Sequence, residues 1–456
     1  MKKKQLTAAV MAGVMLLGTA CSSGSGGGGS AQTSSETEAE TASETAQEET
    51  AAEGEGQETA GTPVTLKVAN YAVLEKGYDV FWEGVKEGFE AEYPNITIEW
   101  VTAPYAEILS QVINMAGGGD RVDCIFSELT WIPDLVDAGL AMPLDDVLDQ
   151  EFLDDYYSNI LEAHTVDGKL YGAPLYVSPF ILFYNKDLFE KAGLDPEKPP
   201  MTYDEMLEMA EALSKLTTED GNKIYAFGEP TASTIEIGSY TQAFVANFGG
   251  QVLDENGGLA IDNEGFRQAA EMLQLLDEKG YNPQNAKPKD LRNLFALGQL
   301  AMYYDKSGGM NGVLSINPEA KNFAAATVPL KGGDGNGAST LQSHCFVGID
   351  NGEEQKEALK EFIQYVISPE VMNDYIEIAP WFPAKKSMED MENVKNSAIL
   401  TGAQGAVEIS KPLPLFTGLS NFNLELCAFA QAITVGDEDI DTATEQLKES
   451  SKAILP

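Results

Sequence analysis

Between residues 65 and 126 the chain alternates between a two-residue and a 3.6-residue hydrophobic period. Residues 65–69 and 96–100 alternate polar and apolar side chains, a pattern typical of strands. Apolar residues recur at helical spacing between them: Phe81, Val85, Phe89 and Tyr93. A second helix over 105–116 ends at three glycines, and a short apolar run at 122–126 is typical of a buried parallel strand. The β-α-β-α-β order predicts a doubly wound α/β unit.

The remainder of the chain continues this mixture of strands and helices. Thr202 and Glu205 form a capping-box pattern in front of a helix predicted over 203–216. One long strand or two consecutive strands are predicted over 169–185. Further strands are predicted over 224–227, 300–304, 323–328 and 340–349, and helices over 264–279, 353–367 and most of 419–456. The sequence contains no internal repeat.

The length and the net charge of the chain limit the classes of function that it can have. The 456 residues allow two or three domains, and 72 acidic residues against 29 basic ones give a net charge of -43. Phosphate backbones and anionic lipid surfaces bind basic faces, so we expect no nucleic-acid partner and no binding to an anionic membrane surface. Two histidines leave little scope for zinc or Ser-His-Asp chemistry, and four cysteines do not form a disulfide framework.

The N-terminal 62 residues are predicted to be a leader and a tether. Residues 1–20 combine three lysines with an uncharged apolar run, which is the pattern of a secretory signal. Residues 16–21 resemble a bacterial lipoprotein cleavage box, which makes Cys21 the lipidated terminus. The alternative is simple signal-peptidase cleavage beside an incidental cysteine. Residues 22–62 hold nine Glu and no basic or aromatic residue, so we expect a disordered tether.

The acidity therefore resides mainly in residues 63–456, which carry a net charge of -37. No other stretch approaches about 18 consecutive apolar residues, so we expect no transmembrane helix. A strongly acidic domain disfavours strongly anionic ligands, although local charge in a binding cleft would decide that preference.

Several sequence strings resemble family 1 extracellular solute-binding proteins, the receptor subunits of bacterial ABC importers. The most specific strings are YGAP at 171–174, LFYNKDLFEKAGL at 182–194 and PPMTYDE at 199–205. Others follow in the expected order: FEAEYPNI at 89–96, AGL at 138–140 with PL at 143–144, NFGG at 247–250, LGQLAM at 297–302 and FPAKKS at 382–387. The resemblance covers nearly all of 63–456.

The resemblance implies an α/β, two-lobed, periplasmic-binding-protein-like fold whose lobes are joined by crossing hinge strands. It places the crossings near 176–181, 343–347 and 380–385. Lobe I would comprise 63–177 with 346–382, and lobe II 178–345 with 383–456. A ligand bound between the lobes would stabilise a closed state that the permease recognises. We therefore expect an extracytoplasmic, lipid-anchored, monomeric binding subunit, most simply for a carbohydrate.

No catalytic motif supports an enzyme. Outside the Gly/Ser-rich tether there is no G-x-S-x-G, and the chain contains neither H-E-x-x-H nor a P-loop. The segment 437–441 lacks the glycine and glutamate of a calcium loop and is better explained as an acidic helix N-terminus. We expect no catalytic residue, cofactor or metal. The alternatives to sugar uptake are a non-sugar solute, or a ligand sensor that engages a membrane kinase.

Sugars present an apolar ring face and hydroxyls, so aromatic and polar residues at strand ends are candidate contacts. In the first lobe and its crossings we predict six such residues: Tyr71, Glu128, Trp131, Tyr176, Ser178 and Trp381. Two have a structural alternative: Tyr71 as a half-buried loop aromatic, and Trp131 as a helix-start residue packed on Pro133. We assign Phe180 to the core.

In the second lobe the resemblance favours Glu229, which follows a predicted strand where the maltose receptor supplies a carboxylate. The other predicted contacts are Tyr240, Asp305, Asn421, Phe422 and Asn423, with core packing an equal alternative for Tyr240. Ser307, Gly308 and Gly309 stand where relatives often carry a tryptophan, which disfavours a long oligosaccharide, and Trp381 would take that role. His344 is assigned to the core, and neither it nor His164 is given a functional role. Cys124, Cys345 and Cys427 are predicted to be buried free thiols.

Overall fold

The period switches fold as they predict, into three neighbouring parallel strands with helices between them. These are β1 (Val64–Ala69), α1 (Asp79–Glu92), β2 (Ile96–Val101), α2 (Tyr105–Gly117) and β3 (Cys124–Glu128). Strand β1 pairs in parallel with both β2 and β3. Val85 and Phe89 are buried on one face of α1, as the helical spacing predicted, but Trp82 rather than Phe81 completes that face. Phe81 and Tyr93 are half-buried.

The structure is a computed structural model that describes residues 62–455 except 235–236, 334, 336, 415 and 417–418. The predicted signal, Cys21 and tether lie outside the described residues. The remaining strands are β4 (Thr165–Val166), β5 (Lys169–Leu170), β6 (Gly172–Val177), β7 (Phe180–Asn185), β8 (Met302–Lys306), β9 (Ala324–Thr327), β10 (Ser339–Thr340), β11 (Ser343–Gly348), β12 (Phe382–Pro383) and β13 (Ser410–Lys411).

The helices after α2 are α3 (Ile132–Asp137), α4 (Gln150–Asp154), α5 (Ser158–Ala163), α6 (Lys186–Lys191), α7 (Tyr203–Leu213), α8 (Ile237–Asn247), α9 (Glu264–Glu278), α10 (Pro288–Ala296), α11 (Met310–Ile316), α12 (Glu353–Val366), α13 (Pro369–Ile378), α14 (Glu392–Lys395), α15 (Ala398–Gly402), α16 (Leu419–Ile433) and α17 (Ile440–Ser451). The capping box of Thr202 and Glu205 at the start of α7 is confirmed. Asp439 caps α17 by accepting a hydrogen bond from the Thr442 amide, as the acidic helix-start interpretation predicted.

Two main sheets organise the chain. A six-stranded sheet has the order β12-β6-β11-β3-β1-β2, and a three-stranded sheet has the order β8-β7-β9. Strand β6 lies in the first sheet and β7 in the second, with only Ser178 and Pro179 between them. The chain therefore crosses from one sheet to the other at the first predicted crossing.

The other two predicted crossings also lie at this junction. Strands β11 and β12 both pair antiparallel with β6 in the six-stranded sheet. The short strand β10 lies just before β11, and Ser339 accepts a hydrogen bond from the Phe180 amide at the start of β7 (3.0 Å). After β12 the chain reaches α15, which packs on β9 of the three-stranded sheet.

One predicted strand is absent among the described residues. At 224–227 the chain makes isolated bridges beside β8, with Tyr225 opposite Leu300 and Gly228 opposite Tyr303. Its apolar residues are buried as expected, since Ala226 and Phe227 are fully inaccessible. The apolar pattern correctly predicts burial, but a continuous ladder with the neighbouring chain does not form.

Buried residues form two large apolar cores. One surrounds the six-stranded sheet and contains Trp82 and Phe126, and the other contains Phe227 and Phe266 among the helices of the second half. Phe180 belongs with Tyr240 to a small third cluster, in agreement with its assignment to the interior. The cysteines at 124, 345 and 427 are buried free thiols, as predicted. Within the described ranges, no helix has the length and apolar character needed to cross a bilayer.

Candidate ligand-binding site

A cavity of about 210 Å³ lies where the crossing strands bring the two sheets together. Its walls come from both sheets and from the segments between them. The lining residues are Glu128, Ser178, Arg292, Lys306, Gly308, Gly309, Gln342, His344 and Trp381. Larger hollows lie elsewhere, including one of about 760 Å³ beside Met201 and Met209 and one of about 330 Å³ between α11 and α15. Neither of these two hollows is lined by β6, β7, β11 or β12, so the 210 Å³ cavity is the candidate site.

The aromatic wall of this cavity is Trp381, which follows α13 and precedes β12. Its ring stacks on Tyr176, with centroids 4.3 Å apart and planes inclined by 28°. Its Nε1 donates a hydrogen bond to the Tyr78 hydroxyl at 3.1 Å. The outer edge of the indole lies against the backbone of Gly308, where an added Cβ would collide with Trp381 Cη2 and Cζ3. A side chain at 308 would therefore displace the indole.

His344 forms the floor beside this stack. Its ring is stacked on Tyr176 with centroids 5.1 Å apart, and its Nδ1 lies 2.8 Å from the Tyr176 hydroxyl. Burial lowers the pKa of His344 to about 4, so the imidazole is neutral near pH 7. The sequence assignment of His344 to the core needs correction, because its strand β11 begins at the sheet junction and the side chain lines the cavity. His164, by contrast, is fully buried and hydrogen-bonded through both ring nitrogens.

Glu128, at the end of β3, supplies the acidic wall. It accepts a hydrogen bond from the Tyr105 hydroxyl. The Tyr105 ring in turn lies 5.1 Å from the Trp131 ring and 5.0 Å from the Tyr71 ring. Burial first, and then the Glu128 charge, raise the pKa of Tyr105, so the hydroxyl stays a donor. Tyr71 and Trp131 thus lie behind Glu128, one layer away from the cavity.

An ion pair between α10 and β8 holds the second wall. Arg292 donates to Asp305 through Nε at 2.6 Å and through Nη2 at 2.9 Å. Asp305 also accepts from the Tyr240 hydroxyl at 2.6 Å and from the backbone amide of Lys306 at 2.8 Å. Asp305 is fully inaccessible, so its oxygens accept hydrogen bonds from protein groups and do not line the cavity. Its influence on a ligand is indirect, because it holds Arg292 in place. Tyr240 is likewise buried beside Phe180.

Glu229 is a buried carboxyl near this ion pair and does not line the cavity. Its side chain is 2% exposed, and Oε2 has no hydrogen-bond partner in the described part of the chain. The Glu229 backbone amide donates to Asn282 at 2.8 Å. Burial, followed by the charge of Asp305, raises the pKa of Glu229 well above its ordinary value. The carboxyl is therefore held in its protonated form more strongly than in the unfolded chain.

The predicted contacts at the start of α16 do not meet the cavity. Phe422 is fully inaccessible and packs in the second core, which explains its apolar character. Asn423 accepts a hydrogen bond from Gln242 at 2.9 Å, and Asn421 is exposed. Helix α16 packs on α8 and α17, so its first turn lies against the body of the second half.

Of the twelve predicted contacts, the structure brings Glu128, Ser178 and Trp381 to the cavity, with Tyr176 stacked behind Trp381. Ser178 is held there by its hydroxyl, 3.2 Å from the Ser307 hydroxyl, and by its amide, which donates to Gln342 at 2.8 Å. Sequence reasoning gives no contact role to Arg292, Lys306, Gln342 or His344. Lys306 stands at the end of β8, beside the predicted contact Asp305, so its position carries a strand-end signal that the charge argument passes over. Arg292 lies inside α10 and carries no such signal, because only the packing of α10 beside β8 brings it to the cavity.

The site combines a flat aromatic face, a carboxylate, hydroxyl and amide groups and two cations, which can bind a small polar ligand from several sides. Among the described residues, no three His, Cys, Asp or Glu side chains come together as a metal site.

Comparison with known proteins agrees with this architecture. The cyclic alpha-maltosyl-1,6-maltose binding protein of Arthrobacter globiformis superposes with a TM-score of 0.75, covering 86% of this chain and 99% of that one at 19% identity. The sugar-binding protein MalE of Xanthomonas citri gives 0.73, covering 86% and 97% at 22% identity. These similarities confirm the two-lobed α/β fold.

Sequence comparison identifies the family. A Brucella abortus protein named as a binding protein is 25% identical over 395 residues, which cover 86% of this chain and 93% of that one. The family model for bacterial extracellular solute-binding proteins matches residues 71–373, well over half of the chain. The predicted resemblance is confirmed, and the chain belongs to the bacterial extracellular solute-binding protein family.

Proposed function

We propose that this protein is the carbohydrate-binding subunit of an ABC importer and that its lobes close about the sugar. The observation that supports this most is the stack of Trp381 on Tyr176 at the junction of the two sheets, beside Glu128 and Ser178. Aromatic faces cover the apolar face of a sugar ring, and carboxylate and hydroxyl groups bind its hydroxyls. Solved structures of similar fold contain bound sugars, among them maltose and tagatose.

The junction also supports the closure mechanism. The cavity wall at Glu128 belongs to the six-stranded sheet, and the wall at Lys306 belongs to the three-stranded sheet. A ligand that contacts both walls stabilises the arrangement in which they are close, by its differential affinity for that state. We propose the lobe boundaries given above, with 63–177 and 346–382 in lobe I and 178–345 and 383–456 in lobe II.

We also propose that the N-terminal segment attaches the binding domain to the membrane. Lipidation of Cys21 would anchor the domain to the outer face of the cytoplasmic membrane, with residues 22–62 as a tether. Replacement of Cys21 by Ala is expected to abolish incorporation of labelled fatty acid and to release the protein from the membrane fraction. Unchanged labelling would assign the lipid to another residue or exclude it.

A thermal-shift screen over mono- and oligosaccharides tests the proposed function directly. A ligand that binds only the folded state raises the melting temperature by mass action. At a ligand concentration of about a hundred times Kd, the free energy of unfolding increases by about 2.7 kcal/mol. We expect at least one sugar to raise it. A shift with a non-sugar solute and with no sugar would overturn the carbohydrate assignment, and sustained turnover of a glycan would overturn the binding-only role.

A further inference from the structure

Lys306 is the feature of the cavity that the proposed function leaves unexplained. It ends β8 and its side chain lines the cavity, where it is partly buried. Among the residues that the structure describes, it is the only lysine or arginine that is not exposed and forms no ion pair. In a chain with 72 acidic residues, an unpaired cation in an enclosed position is unexpected.

Two carboxylates at the site, Asp305 and Glu128, form no ion pair with Lys306. Asp305 is its neighbour in sequence, but the Asp305 oxygens already accept from Arg292, from Tyr240 and from the Lys306 backbone amide. Glu128 lies on the opposite wall, where it accepts from Tyr105 and forms no ion pair with the ammonium. The ammonium lies instead near the Phe180 ring, whose centroid is 5.7 Å from Nζ.

A second cation, Arg292, lies on the same wall of the cavity as Lys306. Arg292 lines the cavity with Nη1 free of hydrogen bonds to described residues, since only Nε and Nη2 bind Asp305 and Tyr240. Lys306 and Arg292 therefore present unused N–H donors to one space. Glu128, on the other wall, presents an acceptor for hydroxyl groups.

Closure around a ligand removes water from Lys306. A partly buried ammonium that loses water without gaining a counter-charge is destabilised, whereas a carboxylate or phosphate restores the charge balance. A charge-assisted hydrogen bond is roughly twice as strong as one between neutral groups. A neutral sugar hydroxyl offsets less of the lost hydration than an anion does, so the cavity favours a ligand with a negative charge on this side.

We propose that the ligand is a sugar bearing one acidic group, a carboxylate or a phosphate, which binds Lys306 beside Arg292. Glu128 then accepts hydrogen bonds from sugar hydroxyls and Trp381 covers the ring. This inference rests on the proposed carbohydrate-binding function and narrows its substrate class. It also reverses the expectation drawn from the net charge of -37, because the charge of this wall differs in sign from that of the whole domain.

The experiment compares sugars that differ only at C6, using the purified full chain. The panel contains glucose, glucuronate and glucose 6-phosphate, the matching galactose series, and neutral disaccharides as controls. Thermal shift identifies binders and calorimetry gives their Kd. Lys306→Gln removes the ammonium, and Lys331→Gln, at an exposed position away from the cavity, is the matched control.

We expect an acidic sugar to bind at least tenfold more tightly than its neutral partner. Lys306→Gln should abolish that preference and its dependence on salt, while Lys331→Gln retains both. A preference for the uronate or for the phosphate identifies the acidic group. If a neutral sugar binds as tightly as its acidic partners, the inference is overturned while the proposed function stands. If no sugar of either class binds, the proposed function itself fails.

Discussion

Trp381 and Tyr176 are stacked at the strand junction, with ring centroids 4.3 Å apart and an interplanar angle of 28°. Tyr176 comes from β6 of the six-stranded sheet, and Trp381 lies against Gly308, which follows β8 of the other sheet. The stack therefore joins both sides of the cavity. Its geometry depends on the absence of a side chain at position 308.

Gly308→Ala is expected to displace Trp381, because the new Cβ would stand 2.1 Å from Cη2. A stacked aromatic pair contributes about 0.5–1.5 kcal/mol beyond the free energy of burying its apolar surface. We therefore expect the affinity for the sugar found in the screen to fall several-fold. Calorimetry measures the affinity, and thermal unfolding shows that the fold is retained.

Gly405→Ala is the control for that substitution, because its Cβ would meet only Val328 Cγ1, at an ordinary 3.6 Å. It should leave the affinity unchanged. Equal affinities for wild type and Gly308→Ala would show that the Trp381 position does not matter for binding.

Trp131→Ala is expected to weaken sugar binding on the order of tenfold without unfolding the protein. Trp131 packs on Tyr105, whose hydroxyl donates to Glu128, so its loss frees the residue that positions the acidic wall. Aromatic pairs of this kind contribute about 0.5–1.5 kcal/mol. Titration calorimetry with Trp131→Ala and with Trp131→Phe checks this, since Phe retains part of the contact. An unaltered affinity in the Ala variant would remove Trp131 from the site.

Asp305→Asn is expected to reduce the free energy of unfolding by about 3–5 kcal/mol, because it leaves the largely buried Arg292 guanidinium without its counter-charge. Chemical denaturation of the variant measures this loss. The double variant Asp305→Asn with Arg292→Met should recover part of the stability, since it removes the orphaned charge. A loss below about 1 kcal/mol in the single variant would mean that the pair contributes no more than a surface ion pair.

The sequence predicts the order of strands and helices well, because this order depends on the local hydrophobic period. The strands and helices between Val64 and Glu128 form where the hydrophobic period changes, and the capping box at Thr202 starts its helix. The segment at 224–227 shows the limit of this reasoning. Its apolar pattern correctly predicts burial, but whether a buried run forms a ladder depends on the register of its neighbour.

The candidate site is only partly predictable from the sequence, because part of it forms through the tertiary packing of segments that are distant in the chain. Trp381 and Glu128 can be predicted because aromatic and acidic residues at strand ends are a local signal. Arg292 carries no such signal, because it lies inside α10 and reaches the cavity only where α10 packs beside β8. Lys306 does end a strand, but a lysine in so acidic a chain gives no reason in the sequence to expect a cavity position. The apolar strand around His344 indicates a core position, and only the junction of the sheets places this residue at the cavity.

Glu229 should make the stability of the protein depend on pH in an identifiable direction. Its pKa in the folded state is raised, mainly by burial, above the ordinary value of 4.5. Its stabilising contribution is therefore complete below about pH 4.5, where both states are protonated. It is lost as pH rises from there towards the folded pKa, because the unfolded chain releases the proton and the folded chain keeps it.

Glu229→Gln isolates this effect, because the amide has nearly the same shape and does not titrate. We expect the stability of the wild type relative to Glu229→Gln to decline as pH rises above about 4.5 towards the raised folded-state pKa, by at most about 1.4 kcal/mol per pH unit. Urea denaturation at a series of pH values measures the difference. Glu208→Gln, at an exposed position, should give a difference that hardly varies. A wild type that gains stability over Glu229→Gln as pH rises would show that Glu229 is ionised in the folded protein, with a counter-charge that offsets its burial.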